Sequence, residues 1–260
     1  MGKLPDNQAP VVAIVGSRKP SAYGKEVTEK LATDLAKAGC IIVSGLALGV
    51  DSIAQKAALE AGGVVIGVVA DELPSISPRT NHGLAMNIIK HGGAIISEWM
   101  KGDGKVVGRW SFLERNRLVS GLADAIVITE AAERSGTLNT ATHALDQGRD
   151  LFVVPGNITS PLSAGCNSLL KQGAFAVTEA ADILQIIAPE QLKSSDQNKL
   201  PLGDSPEEDI IIKLINSGVR AGDELQKQSG LSAAQFSTAL TMLEINGTIK
   251  ALGANNWTLR

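Results

Sequence analysis

The residues of this chain best suited to chemistry are crowded into a few short runs. "RWSFLERNRLVSGLA" (109–123) carries Arg109, Arg115 and Arg117 beside Phe112 and Asn116, and "EAAERSGTLNTA" (130–141) brings Ser135, Gly136 and Thr137 together. "GSRKPSAYG" (16–24) opens with Gly16, Ser17 and Arg18, while "SGLALGVDS" (44–52) opens with Ser44 and Gly45. "PGNITSPLSAGCNSLL" (155–170) contributes Gly156, Asn157 and Asn167. Glycines let backbone amides approach an anion closely, and hydroxyls and asparagines add donors. Arginine grips phosphate oxygens in pairs, and an exposed Phe can stack on a base. Together these groups describe a cradle for phosphates, and the cations beside an aromatic ring suit single-stranded nucleic acid. Taken one at a time the runs have a plainer use. Glycine at a strand-to-helix turn and Ser or Thr as a helix cap are ordinary, Arg115 or Arg117 could pair with Glu114 or Glu130, and Phe112 could belong to the core.

Catalytic chemistry is less well served. His82, His91 and His143 fall in helical patterns with no partner motif, and Cys40 and Cys166 lack metal-ligand spacing or an adjacent base. Asp51, Glu98 and Glu130 lie near strand tips; they either form an acid/base set or cap helices and orient the arginines. "SGLALGVDS" is neither a GxGxxG fingerprint nor a Walker A loop. The expectation is a binding protein without metal or cofactor, not an enzyme.

What must position these runs is a regular alternation. Short β-branched stretches, at 11–17, 40–45, 64–70, 94–98, 124–130 and 150–156, alternate with amphipathic helical patterns, and "AFAVTEA" (174–180) reads as a closing strand. Near-continuous apolar strands separated by helices predict a Rossmann-like parallel sheet covered on both faces, an α/β fold. In such a sheet ligands bind beyond the carboxyl ends of the strands, which is where the runs above fall, apart from 109–123, whose "ERNRLVSGLA" reads as helical. Residues 188–205 lose the periodicity and read as a linker between a domain of residues 1–187 and a small domain of residues 206–260. That second domain shows three helical patterns, the third led by Ser232 as a cap, and then "TIKALGANNWTLR", a ribbon with "GANN" at its turn. This is a winged-helix pattern.

Composition narrows the partners. The chain has 260 residues, a net charge of −3 and 3% aromatic residues. A protein coating nucleic acid through its overall field, or through a broad stacking platform, is thereby disfavoured. With two cysteines, no signal-peptide pattern and no apolar run of membrane length, the expected compartment is the cytoplasm.

Five blocks occur in order: "VAIVGSRKPSAYG", "IVSGLALGVDSIAQKAAL", "GGAIISE", "FLERNRLVSGLADAIVITEAAERSGTLNTATHALDQGRDLFVVPGN" and "GCNSLLKQGA". In these the chain resembles the DNA-processing protein A family (DprA, also called Smf) over roughly residues 10–185, and its tail resembles the family's small winged-helix domain. The resemblance implies single-stranded DNA bound at the edge of a Rossmann-like domain, usually in a homodimer. It further implies protection of incoming DNA during natural transformation and loading of the RecA recombinase. By matching motif, the DNA-contacting residues are Gly16, Ser17, Arg18, Ser44 and Gly45. Phe112, Arg115, Asn116, Arg117, Ser135, Gly136 and Thr137 follow, then Gly156, Asn157, Asn167 and Lys171.

The chain departs from the family pattern at four positions. Leu48 stands where a basic residue is usual, Gln55 where a histidine is usual, and Leu113 and Glu114 replace a proline and an arginine in the F-P-R-R-N-R block. Fewer cations predict weaker binding with a flatter salt dependence. Two other readings compete. A phosphoribohydrolase-type nucleotide enzyme would use a PGG-x-GT-x-x-E stretch, of which only the SGT portion of "ERSGTLNTA" is present. A transcription regulator would need cations on its recognition helix, and "SAAQFSTALTMLEING" has none.

Overall fold

A computed structural model describes residues 1–5, 9–104, 106–191, 205–253 and 255–259. It divides into two compact units, Met1–Leu192 and Lys193–Arg260. Most of the stretch read as a linker, together with Ala254 of the "GANN" turn, lies outside the described residues.

The first unit is built on seven strands: β1 (Val11–Val15), β2 (Ile41–Ser44), β3 (Val65–Val68), β4 (Ala94–Ile96), β5 (Ala125–Ile128), β6 (Asp150–Val153) and β7 (Phe175–Ala176). They pair in the order β4-β3-β2-β1-β5-β6-β7, every pair parallel. The strands are shorter than the apolar runs suggested, because the run ends bend away into the loops that carry the polar residues. β7 is reduced to two exposed residues at the sheet edge.

Side chains alternate across a strand, so each strand feeds two cores. Val12 and Ile14 pack on one face with Leu31 and Leu35 of α1 (Ala22–Lys37) and Ala54 and Ala58 of α2 (Val50–Glu60). Ile88 of α3 (His82–Lys90) and Ile183 of α7 (Ala180–Ile187) belong to that same core. Ala13 and Val15 point the other way, toward Val119 of α4 (Arg109–Gly121), Ala141 of α5 (Thr137–Asp146) and Leu169 of α6 (Ala164–Lys171). The chain therefore carries a parallel sheet wrapped on both sides. Both cysteines are interior to it. Burial pushes the Cys40 thiol up to about 12 and the Cys166 thiol up to about 11, so both stay protonated and inert.

β1 and β5 are neighbours, yet their chains continue to opposite faces, β1 into α1 and β5 into α5. At such a reversal the loops part and leave a crevice outside the carboxyl ends of the two strands.

The second unit has three helices, α8 (Pro206–Asn216), α9 (Gly222–Ser229) and α10 (Ala233–Ile245), and an antiparallel pair, β8 (Ile249–Gly253) and β9 (Asn256–Leu259). Ile211, Ile215, Leu225, Phe236, Leu240 and Leu243 form its core. Ser232 caps α10, its hydroxyl accepting from Gln235 N at 3.4 Å while the Gln235 side chain accepts from Ser232 N at 3.2 Å. This is a capping box, which satisfies two of the amides a helix start leaves unpaired. Among the described residues, no helix is long and apolar enough to cross a membrane.

Candidate nucleic-acid interface

The crevice between the β1 and β5 loops is a cleft of about 580 Å³. One wall is the turn Gly16–Arg18 after β1, another is Ser135–Thr137 leading into α5, and the third is the first half of α4 with Phe112, Leu113, Arg115 and Asn116. The walls are joined to one another. The Thr137 hydroxyl donates to Gly16 O at 3.0 Å, and Ser135 Oγ accepts from Thr137 N at 3.2 Å. Ser17 N donates to Glu130 O at 2.8 Å. The start of α5 therefore opens into the cleft, where its dipole and end amides favour negative charge.

Glu130 fixes the other side of the β1 loop. Its buried carboxylate accepts from Ser21 N at 2.8 Å and Ser21 Oγ at 2.6 Å, tying the start of α1 to the end of β5. Asp51 does similar work below the cleft, where one carboxylate oxygen accepts from Gly45 N at 3.0 Å. Burial pushes the Asp51 carboxyl up from its ordinary value, opposed by the Arg115 guanidinium and the amides of Ala47 and Gly45. Glu98 pairs with Arg117 at the surface. Of the two roles open to these three carboxylates, capping and orienting describes what they do.

The two cleft arginines sit in opposite circumstances. Arg115 is buried, and its guanidinium donates to the carbonyls of Gly45 and Val68, bridging the ends of β2 and β3. Burial lowers its pKa from the usual arginine value, with the Asp51 charge acting in the other direction. A Cβ at Gly45 would lie 2.4 Å from the Arg115 guanidinium, so a larger residue there would displace that side chain. Gly49 is constrained from two sides, with φ of 81° and a Cβ position 2.4 Å from Ser17 O. Arg18 is exposed, and its guanidinium carbon lies 5.5 Å from the centre of the Phe112 ring, a cation–π distance.

The structure thus gathers nine of the sixteen sequence-derived site residues at one cleft: Gly16, Ser17 and Arg18, then Phe112, Arg115 and Asn116, then Ser135, Gly136 and Thr137. Seven lie elsewhere. Ser44 is inside the sheet, its hydroxyl donating to Ile14 O at 2.6 Å, and Gly45 is buried beside it. Arg117 faces Glu98. Gly156 and Asn167 clasp each other, Gly156 N donating to Asn167 Oδ1 at 3.3 Å and Asn167 Nδ2 to Gly156 O at 3.1 Å. Asn157 is exposed and turns on itself, accepting from Thr159 N at 3.0 Å, and Lys171 is exposed in the last turn of α6. Gln55 is wholly buried, its amide donating to Ser44 O and Ile66 O, so the departure from histidine changes the sheet interior. Leu48 is exposed on the β2–α2 loop, so that departure alters surface. Arg134, which lines the cleft and is exposed, was not among the sequence-derived residues. A cation immediately before a Ser-Gly-Thr helix start was its available signal. Among the described residues no cluster of His, Cys, Asp or Glu is arranged to hold a metal ion.

Comparison with known proteins places this geometry in context. Residues 1–188 match the family model described as DNA recombination-mediator protein A, and residues 195–255 match that described as the DprA winged helix domain. The Smf protein of Escherichia coli is 38% identical over 251 residues, covering 93% of this chain and 66% of that protein. The DNA processing protein DprA of Bacillus subtilis is 40% identical over 174 residues, covering 67% of this chain and 58% of that protein. The chain thus spans about three fifths to two thirds of the length of these curated relatives. Among solved structures, DNA processing protein A from Streptococcus pneumoniae superposes with a TM-score of 0.63 at 37% identity, covering 69% of this chain and 62% of that one. The Helicobacter pylori protein, solved in a study of its single-stranded DNA binding mode, gives 0.62 at 36% identity, covering 74% and 86%.

Proposed function

This chain belongs to the DNA recombination-mediator protein A family, and from that premise we propose that it binds single-stranded DNA in the cleft between the β1 and β5 loops. The observation that carries the reading is the meeting of three unlike parts at one crevice: the Gly16–Arg18 turn, the Ser135–Thr137 helix start, and Arg18 standing free over the Phe112 ring. Backbone amides and a helix dipole receive phosphate without regard to sequence, while cations and rings track a flexible strand.

Hydrolysis of a nucleotide would need an acid or base at the reacting atom. Asp51 lines the cleft but is committed to Gly45 N and Arg115, and Glu130 is committed to Ser21. These commitments favour holding over cutting. In the cell the protein would act in the cytoplasm as a homodimer, protecting incoming single strands in natural transformation and recombination and passing them to RecA. This part of the proposal rests on the family alone.

The test is fluorescence-anisotropy binding of a short oligo-dT and its duplex at two salt concentrations. The expected result is preference for the single strand, weakening with salt. Arg18→Ala should lose about 1–3 kcal/mol of binding and flatten the log–log salt slope by about 0.7. Equal binding of both DNA forms by both proteins would sink the proposed site, and release of free base from nucleoside monophosphates would favour the enzyme reading.

A further inference from the structure

We propose that Arg134 is a second direct contact to the DNA backbone, gripping a phosphate from the β5 side of the cleft as Arg18 does from the β1 side; this rests on the single-strand reading above. Among the described residues, the cations that line the cleft are Arg18, Arg115 and Arg134. Arg115 is committed to the fold: it is buried, its guanidinium donates to the carbonyls of Gly45 and Val68, and its Nε donates to Asn116 Oδ1 at 3.3 Å. Arg18 lies over the Phe112 ring. Arg134 is exposed and, among the described residues, makes no hydrogen bond, ion pair or ring contact. An uncommitted guanidinium presents its donors as a planar fork that matches two oxygens of one phosphate.

The backbone around Arg134 accounts for its place on the cleft wall. The β5–α5 loop is pinned on both sides of it: Ala131 O accepts from Gly165 N at 2.9 Å, and the Thr137 hydroxyl donates to Gly16 O at 3.0 Å. Between these ties Ala132 and Arg134 line the cleft, while Glu133, which is also exposed, does not. The loop thereby sorts its two adjacent charges, presenting the cation to the cleft and keeping the anion off it. A backbone already fixed leaves only the Arg134 side chain to be ordered on binding, which keeps the entropic cost of the contact small. Arg18 stands on the β1 turn and Arg134 on the β5 loop, so the two cations serve separate phosphates.

The experiment uses the full chain with two labelled strands of equal length, oligo-dT and an all-abasic deoxyribose-phosphate strand, titrated over a range of salt. Arg134→Ala should weaken both strands alike, each about tenfold, as expected for one lost charge-assisted contact. It should flatten the log–log salt slope by about 0.7, and the Arg18→Ala/Arg134→Ala pair by about 1.4. Arg134→Lys should keep the slope and recover only part of the affinity, because it restores the charge without the fork. Glu133→Gln changes the net charge by the same amount as Arg134→Ala, in the opposite sense and away from the cleft, and should leave affinity and slope unchanged. A loss confined to oligo-dT would make Arg134 a base contact, and a gain in Glu133→Gln equal to the Arg134→Ala loss would assign the effect to the general field of the protein; either overturns the proposal. So would a fall in the denaturation midpoint of the α/β unit in both Arg134 variants, which would make the residue a support of the loop. Undiminished binding by Arg134→Ala would sink this assignment alone, whereas an unaltered chain that bound neither strand would remove the single-strand reading and this contact with it.

Discussion

The cleft of the α/β unit and the helix α10 of the winged-helix unit are the two places where folds of these kinds meet nucleic acid, and they are furnished very differently. The cleft draws Arg18 and Arg134 from two separate connections and Arg115 from α4, and adds a helix start and two glycine-bearing turns. Helix α10 contains no Lys or Arg, carries Glu244, and leaves Met242 and Ile245 exposed. The second unit's described cations, Lys213, Arg220, Lys227 and Lys250, lie on other segments. Reading duplex DNA through a recognition helix requires cations to hold the phosphates before bases can be read. A winged-helix shape is thus present without the electrostatics that would make it a groove reader, and the groups proposed to receive phosphate are concentrated in the other unit. Shape alone does not assign a nucleic-acid surface; the distribution of charge over that shape does.

The largest effect that could break this comparison lies beneath the cleft. Arg115→Ala removes a buried cation from the carbonyls of Gly45 and Val68 and leaves the Asp51 charge buried without it. The expected cost is about 3–5 kcal/mol of stability, read from the α/β unit's transition in chemical denaturation. A loss below about 1 kcal/mol would mean that Arg115 is not a support of the cleft floor. Gly49→Ala comes next. It forces a side chain into a left-handed position against Ser17 O and should cost about 1–3 kcal/mol, with a matching fall in oligo-dT affinity as the Gly16–Arg18 turn shifts. Stability lost without any change in affinity would detach that turn from the binding site. The smallest expected effect sharpens the contrast. Replacing Lys227 and Lys250 together by alanine should leave oligo-dT affinity and its salt slope unchanged, whereas Arg18→Ala alters both. A reduced slope in the lysine variant would bring the second unit into the single-strand interface.

Much of this was legible in the chain. The alternation of β-branched runs with helical periods specified a parallel sheet, because a strand buried on both faces must be apolar throughout. Ser232 followed by Gln235 marked a helix start, and the GSR and SGT runs marked two of the three cleft walls by residue type alone. The individual fates of the arginines were not legible. Arg115 and Arg117 are two residues apart on one helix and chemically identical. Yet one is buried against backbone carbonyls of two strands, while the other meets Glu98 at the surface. The helix's rotation against the sheet decides that, and sequence spacing does not encode it. Ser44 read as a loop-tip donor, and strand pairing turned it inward, where its hydroxyl donates to Ile14 O. What the sequence by itself determined is the menu of elements and the chemistry available at their ends, since periodicity and residue type are local. What only the tertiary structure decided is which ends meet. The β1 and β5 loops are more than a hundred residues apart along the chain, and they form one site because their strands pair at the point where the sheet's winding reverses.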